Sequence, residues 1–217
     1  MPQPLTPSLN ENIARLKEMF GNSADLYAKP VNVRGIPCCI CFFEGLSYLV
    51  RLWVVMLSML YARRFNPQNG TDLFDFIQHQ TDLPVENIPV ADFDGLRTQL
   101  TAGTTVMLID GCCKAVVLST QNMQFRSVQE PSGEGDIRGS REGFCDLLRI
   151  NVSLVRRLVR TESLTVKIFP AGARTGTEVA ILYDRTLAKA EFVKSIEEKL
   201  KSVDLPVLFD SGYLAPY

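Results

Sequence analysis

The chain has 217 residues, with 23 Lys or Arg, 24 Asp or Glu, and 46% hydrophobic residues. This length suits one large domain or two small ones, with enough apolar residues for a real core. The near balance of charge excludes a global positive field of the kind that recruits nucleic acid.

Helical and strand patterns alternate along the chain, and the order helix–strand–strand–helix occurs once near each end. The first unit is predicted at residues 11–20, 25–33, 37–43 and 47–63, with a turn at Arg34-Gly35. Two short helices (71–80 and 92–100) and two apolar runs (105–109 and 112–119) follow; Asp110-Gly111 between the runs favours a two-residue type I′ hairpin turn. The second unit is predicted at residues 142–159, 164–170, 178–183 and 187–203. The recurring order indicates two related units.

Several predicted strands are apolar at every position, which is typical of strands covered on both faces. They are residues 38–43, 106–109, 115–118 and 179–183. The strand around 165–169 alternates and is expected nearer a sheet edge. We therefore predict an α/β fold with two structurally similar small α/β subdomains, whose mixed sheets are flanked by helices. The predicted boundaries are 1–127 for the first subdomain, 128–141 for an interdomain hinge and 142–217 for the second subdomain.

The six cysteines do not form a metal-binding pattern. His79 is the only histidine, and the adjacent Cys38 and Cys39 point to opposite faces of a strand. We expect small, buried, reduced core residues, including Cys145, with no metal and no cofactor.

Motifs for catalysis and nucleotide binding are also missing. The sequence has no GxSxG motif, and the glycines between 133 and 139 lack the Lys-Ser/Thr pair of a phosphate loop. We predict that the chain is not an enzyme.

The longest apolar stretch, 46–62, is interrupted by Arg51 and is shorter than a typical membrane span. The N-terminus also lacks the pattern of a secretory signal. A helix that is apolar nearly all round must be buried on most sides. Two interpretations stay open: full burial against the chain's own sheet, or an exposed patch for another subunit or a membrane interface. The candidate interface residues are Trp53, Met56 and Leu60.

The segment 130–144 combines charged residues, proline and glycine between two apolar regions. A plain linker needs only to be polar and flexible, so this composition favours a polar hinge in which arginines clamp carboxylates, against the alternative of an exposed loop without fixed contacts. The candidate hinge residues are Glu130, Pro131, Arg138, Gly139, Arg141, Glu142, Gly143 and Phe144.

The same segment resembles the interdomain signature of bacterial spore germinant-receptor A subunits. Residues 16–26, 107–115 and 210–213 are similar to the family in the same order, so the resemblance covers nearly the whole chain. It extends to the sporulation stage V AF-type paralogue, from which the sequence does not separate it. The resemblance implies a cytosolic domain on the core side of the spore inner membrane, with a membrane region in residues absent from this chain. It also implies partnership with B and C subunits, homo-oligomers of A subunits, and ion release when nutrient binds.

Four arginines, Arg149, Arg156, Arg157 and Arg160, are predicted on one side of the helix that follows the hinge. A solvated face is expected, and contact with anionic lipid is the alternative that the resemblance adds. For function, we predict a non-enzymatic domain that acts in nutrient-triggered germination through receptor assembly or signal transmission. The alternative is a module that binds a small-molecule germinant between the two subdomains.

Overall fold

The computed structural model describes residues 3–61, 66–80, 86–121, 143–208 and 211–214. In these ranges the helices are α1 (Leu9–Met19), α2 (Leu49–Tyr61), α3 (Gly70–His79), α4 (Phe93–Thr101), α5 (Leu148–Leu158) and α6 (Ala190–Ser202). The strands are β1 (Leu26–Val33), β2 (Ile36–Phe43), β3 (Asn87–Val90), β4 (Thr105–Ile109), β5 (Ala115–Leu118), β6 (Leu164–Ala171) and β7 (Thr177–Asp184). The helix–strand–strand–helix order predicted at each end is confirmed. Strand β3 was not predicted.

The strands form a five-stranded sheet in the order β1-β2-β4-β5-β3 and a separate two-stranded ribbon, β6-β7. The α/β fold class is confirmed, but the expectation of mixed sheets is wrong for the described residues, since every strand pair there is antiparallel. Continuous apolar strands indicate coverage on both faces and do not fix strand direction. The tight hairpins β1-β2, β4-β5 and β6-β7 join only antiparallel neighbours, whereas parallel pairing needs a long crossover.

Helices cover both faces of the five-stranded sheet, so alternate residues of one strand enter two different cores. Cys38 lies in a core cluster with Leu52 and Val55 of α2 and with residues of α3. Cys39 lies in a second cluster, on the α1 and α4 side. The opposite directions predicted for these two cysteines are confirmed. The largely apolar composition of β2, β4 and β5 follows from this burial on both faces.

The six cysteines are free, and only some are buried. Cys38, Cys39, Cys41 and Cys112 are buried as predicted, while Cys113 and Cys145 are exposed, which contradicts a packing role for Cys145. In the described part of the chain, no three His, Cys, Asp or Glu side chains converge so as to hold a metal ion.

The turns confirm one prediction and correct another. Arg34 and Gly35 have φ of 54° and 89°, as a two-residue turn with two left-handed residues requires. The β4-β5 hairpin exists, but Thr105 pairs with Leu118 and the connection spans residues 110–114. Asp110 is instead engaged outside the turn, because its carboxylate accepts a hydrogen bond of 3.2 Å from the Leu9 amide.

Three helices, α1, α3 and α4, carry side-chain caps at their N-termini. Ser8, Asn69 and Asp92 accept hydrogen bonds from the backbone of α1, α3 and α4, respectively. Helix α5 has no such cap and begins at Leu148, six residues later than predicted. The side chain of Asn151 instead bonds both the N–H and the C=O of Cys145, at 2.8 and 2.7 Å, and holds the preceding segment in an irregular conformation.

Towards the C-terminus, α5 contacts β7 and α6 contacts β6. Lys167 of β6 forms an ion pair with Glu197 of α6, and Lys201 lies 5.6 Å from the ring centre of Phe169. No helix within the described residues combines the length and apolarity needed to cross a bilayer; α2, the most apolar, has 13 residues.

Candidate functional site

We call residues 3–121 the first half and residues 143–214 the second half. Their junction is built mainly by α5, which presents Arg149 and Arg156 on one face because seven residues are close to two helical turns. The solvated face predicted for the four arginines is wrong for Arg156, which is fully buried. Buried arginine requires a partner, and the partner lies in the other half.

Asp25, just before β1, is that partner. Its two carboxylate oxygens accept hydrogen bonds from Nε and Nη2 of Arg156 at 2.9 and 3.0 Å, a paired geometry that fixes direction as well as distance. The guanidinium lies 4.4 Å from the ring centre of Phe43, which covers it from the side of β2. The Nη1 group donates to the carbonyl of Leu164 at 2.9 Å, so one arginine joins α5, β1, β2 and β6.

Ser23 completes the buried network. Its hydroxyl donates to Asp25 at 2.5 Å and accepts from Arg156 at 3.0 Å and from the Val166 amide at 2.8 Å. The Ala24 amide donates to the Val166 carbonyl at 2.8 Å. The outer edge of β6 is thereby bonded to the turn between α1 and β1. A buried polar network is stabilising only when its members are satisfied, and these are.

Arg149 forms a second, more exposed contact between the halves. It donates to Glu44, which follows β2, and to Glu178 of β7 at 2.8 Å, and also contacts the Tyr27 hydroxyl at 3.2 Å. The hydrogen bonds that Arg149 donates, first to Glu44 and then to Glu178, raise its pKa, so it stays charged. Its side chain is 43% exposed, so water and dissolved salt screen these ion pairs.

Two glycines allow the halves to approach closely. Gly45 has φ of 77°, and a Cβ there would lie 2.6 Å from the Cβ of Ser153 on α5. Gly21 has φ of 63°, and its Cβ would meet Arg185 and Thr165 within 2.7 Å. Any other residue would be strained and would push the halves apart.

The predicted hinge residues fall on or beside a part of the chain that the structure does not describe. Glu130, Pro131, Arg138, Gly139, Arg141 and Glu142 lie outside the described residues. Gly143 and Phe144 directly precede α5, and Phe144 is 74% exposed. The boundaries 1–127, 128–141 and 142–217 therefore stay predictions, as do the hinge contacts.

Helix α2 has two apolar faces. Leu52 and Val55 are buried and Met56 packs partly against the same core, whereas Trp53 is 65% exposed. The side chain of Leu60 lies outside the described residues. The exposed face, which we call the α2 stripe, recurs at helical spacing and consists of Val50, Trp53, Val54 and Leu57. Of the predicted interface residues, the structure thus exposes Trp53 and buries much of Met56.

The junction was missed at the sequence level, although one signal was present. An arginine repeated at a seven-residue interval on a helix with apolar residues between is compatible with a buried position, but its partner Asp25 is 131 residues away. The arrangement holds two α/β units in a fixed relation.

The structure thus defines a class of protein: a two-part α/β domain whose halves are joined by a buried charge network. The family model "Bacillus/Clostridium GerA spore germination protein" matches residues 14–217, and the chain belongs to this family. It is 28% identical to spore germination protein KA of Bacillus subtilis (strain 168), over 97% of this chain and 39% of that protein. It is 24% identical to stage V sporulation protein AF of the same organism, over 92% of this chain and 40% of that protein.

The fold is similar to a crystal structure of the N-terminal domain of the A subunit of the Bacillus megaterium spore germinant receptor GerK3. The TM-score is 0.74 at 23% identity, over 99% of this chain and 79% of that one. The resemblance seen in the sequence is therefore confirmed. The chain spans about two fifths of the length of the two curated relatives named above.

Proposed function

We propose that this chain acts in spore germination as a non-catalytic unit that associates with further copies of itself through the α2 stripe and transmits conformational change through its junction. Family membership supports the germination role. The observation that carries the mechanism is the α2 stripe, since a helix that already fills a core with one face rarely exposes a second apolar face without a partner.

A second copy is the occupant that fits the α2 stripe best. The stripe contains no charged side chain, so two copies can face each other without like-charge repulsion. Four side chains expose on the order of a few hundred Å², which is below the roughly 800 Å² per partner of a standard interface. We therefore expect weak association of the isolated chain, strengthened where a membrane brings copies together.

The remaining parts of the proposal concern the full-length protein. By its relationship to receptor A subunits, we place the domain on the cytosolic side of the spore inner membrane, with B and C subunits as partners and with the membrane region in residues absent from this chain. In this setting, movement of one half relative to the other would pass along α5, because α5 carries Arg149 and Arg156, which bond to Glu44 and Asp25 of the first half.

Light scattering over a wide concentration range tests the assembly step. The native chain should gain mass at high concentration, Trp53→Glu should stay monomeric, and Ser58→Glu is the matched control because Ser58 is exposed on the same helix outside the stripe. In spores, Trp53→Glu should slow nutrient-triggered germination while Ser58→Glu leaves it unchanged. A native chain that is monomeric throughout would contradict self-association through α2.

Binding of a germinant between the halves is the alternative, and the partial exposure of Arg149 favours it. A ligand carboxylate can replace Glu178 on the guanidinium, because both present the same paired oxygens. Titration calorimetry with amino acids, sugars and nucleosides tests this, with Arg149→Ala as the control. Saturable heat in the native chain that is lost in the variant would support the alternative.

A further inference from the structure

The contacts around the β6-β7 ribbon differ between its two ends. Where β6 begins, Leu164, Thr165 and Val166 are buried, whereas the next four residues of β6 are not. In β7 no residue is buried, although residues 179–183 were predicted to be covered on both faces, so that expectation is wrong for the described residues. The ribbon is therefore packed tightly at the start of β6 and more loosely towards the turn between its strands.

At the start of β6, main-chain atoms join the two halves. The Ala24 amide donates to the Val166 carbonyl, and the Val166 amide donates to the Ser23 hydroxyl, both at 2.8 Å. Arg185, which follows β7, donates to the carbonyl of Met19 at the end of α1, at 2.6 Å. We call these three hydrogen bonds the main-chain edge of the junction, because each of them uses at least one backbone group.

Salt has little effect on the main-chain edge, because its acceptors are neutral carbonyl and hydroxyl groups and not carboxylates. The buried ion pair of Arg156 with Asp25 shares the Ser23 hydroxyl with this edge, and buried pairs are screened much less than exposed ones. One exposed pair, Arg97 with Glu162, also joins the halves here and is weakened by salt. The three hydrogen bonds do not depend on that pair.

At the N-terminal end of α5, exposed side chains join the two halves instead. Arg149 donates to the carboxylate of Glu44 and to the hydroxyl of Tyr27. The side chains of Arg149 and Glu44 are 43% and 30% exposed, so dissolved ions reach both charges. We call these contacts the ion-pair edge. We expect it to weaken as the Debye length falls from about 10 Å at 0.1 M salt to about 3 Å at 1 M.

Helix α5 connects the two edges. Arg149 and Arg156 are seven residues apart on it, which corresponds to about 10 Å along the axis. The Arg156 end is held by the buried network, whereas the Arg149 end is held by the ion-pair edge. The ribbon moves with the helix, because α5 packs against β7. Screening of Arg149 therefore frees one end of a rigid helix while its other end stays bonded to the first half.

Building on the transmission step proposed above, we propose that ionic strength controls the junction and opens it on one side only. At low salt the ion-pair edge is closed. At high salt α5 and the ribbon rotate away from Glu44 and Tyr27 about the main-chain edge, which stays intact. The stimulus is a change in the concentration of small ions, because anions compete for Arg149 and cations for Glu44, and no cavity is required.

The size of the movement follows from the length of the ribbon. Ala171 lies five residues beyond Val166 on β6, or about 17 Å along the strand. A rotation of about 15°, the size of known subunit rotations, moves a point at that distance by about 4 Å. Arg174, in the turn that follows, is exposed and reports this movement when a label replaces it. Arg160, exposed four residues before β6, should move much less.

Double electron–electron resonance between two spin labels tests the proposal. Cys113 is exposed in the first half and carries one label in every variant. Cys145→Ser removes the other exposed cysteine, and Arg174→Cys or Arg160→Cys supplies the second label. Dilution with unlabelled chain removes distances between copies. Between about 0.05 M and about 1 M KCl, the distance from Cys113 to position 174 should change by about 3 Å or more, and the distance to position 160 by less than about 1 Å.

Two further variants separate the ion-pair edge from general effects of salt. Arg149→Met should show the high-salt distance to position 174 already at low salt, with no further response to salt. Arg15→Met is the matched control, because Arg15 forms an ion pair of similar exposure with Glu11 inside α1 and should leave the salt response unchanged.

The outcomes also separate this proposal from the proposed function. An equal change at positions 174 and 160 would overturn one-sided opening but leave transmission through the junction in place. No change at either position, in high salt or in Arg149→Met, would show a rigid junction and overturn both. Association through the α2 stripe is measured by mass and does not enter either distance.

Discussion

Replacing Arg156 by Met is the sharpest test of the junction. The substitution keeps a long apolar stem against Phe43 but removes the charge that pairs with Asp25. The Asp25 carboxylate is then buried with only the Ser23 hydroxyl as a described partner. Removing one member of a buried ion pair costs about 3–5 kcal/mol, because the other charge stays desolvated.

Three further hydrogen bonds are lost with the guanidinium, to the Thr161 carbonyl, the Leu164 carbonyl and the Ser23 hydroxyl. We therefore expect the free energy of unfolding to fall by an amount in the upper part of that range. For a chain of this size, the loss corresponds to roughly 10 °C or more in Tm. Urea unfolding at neutral pH, followed by circular dichroism, measures it directly.

Arg160→Met is the matched control, since Arg160 is exposed just past the end of α5. It should change the free energy of unfolding by less than about 0.5 kcal/mol. The double variant Asp25→Asn with Arg156→Met should be more stable than the sum of the single effects by about 1 kcal/mol or more. Refutation would come from Arg156→Met unfolding like the control, or from strictly additive effects in the cycle.

Three further outcomes are expected. Native alkylation followed by mass spectrometry should label Cys113 and Cys145 and spare the four buried cysteines; labelling of all six at similar rates would contradict the fold. Hydrogen bonds from neighbouring hydroxyl groups lower the pKa of Asp184. Its contribution to stability is therefore complete above about pH 4 and is lost as pH falls through the lower folded pKa. Asp184→Asn should flatten this part of the acid unfolding curve, and an unchanged curve would contradict a stabilising role for the Asp184 carboxylate. Gly45→Ala should destabilise the chain by more than Gly35→Ala, because both have positive φ but only Gly45 lacks room for a Cβ; equal losses would mean that backbone strain alone matters.

The sequence predicted most of the elements because local signals determine them. Apolar runs fixed the strands, and the helix–strand–strand–helix order appeared twice in the pattern. Strand β3 was missed because its four residues include Pro89 and carry no periodicity. The start of α5 was placed too early because the Asn151 side chain, not a capping residue, organises the chain before it.

The junction could not be predicted in the same way, because its chemistry depends on contacts between distant residues. The sequence alone predicted that Arg156 and Arg160 would lie on the same solvated face of one helix. In the structure, Arg156 is buried and Arg160 is exposed. The difference is the presence of Asp25 and Ser23, which the fold brings from more than a hundred positions away. The α2 stripe shows the converse: composition predicted an apolar helix, and only the packing decided which face is left exposed.

Arg149 and Arg156 of α5 contribute to the junction in different ways because their exposure differs. Arg156 is buried, so salt cannot screen its pair with Asp25, and we assign it the constant reference point between the halves. Arg149 is half-exposed, so its pairs with Glu44 and Glu178 respond to salt, to neighbouring charge and to competing carboxylates. The junction therefore combines one contact that salt does not reach with another that it does, so rising ionic strength should weaken the Arg149 pairs and leave the Arg156 pair intact.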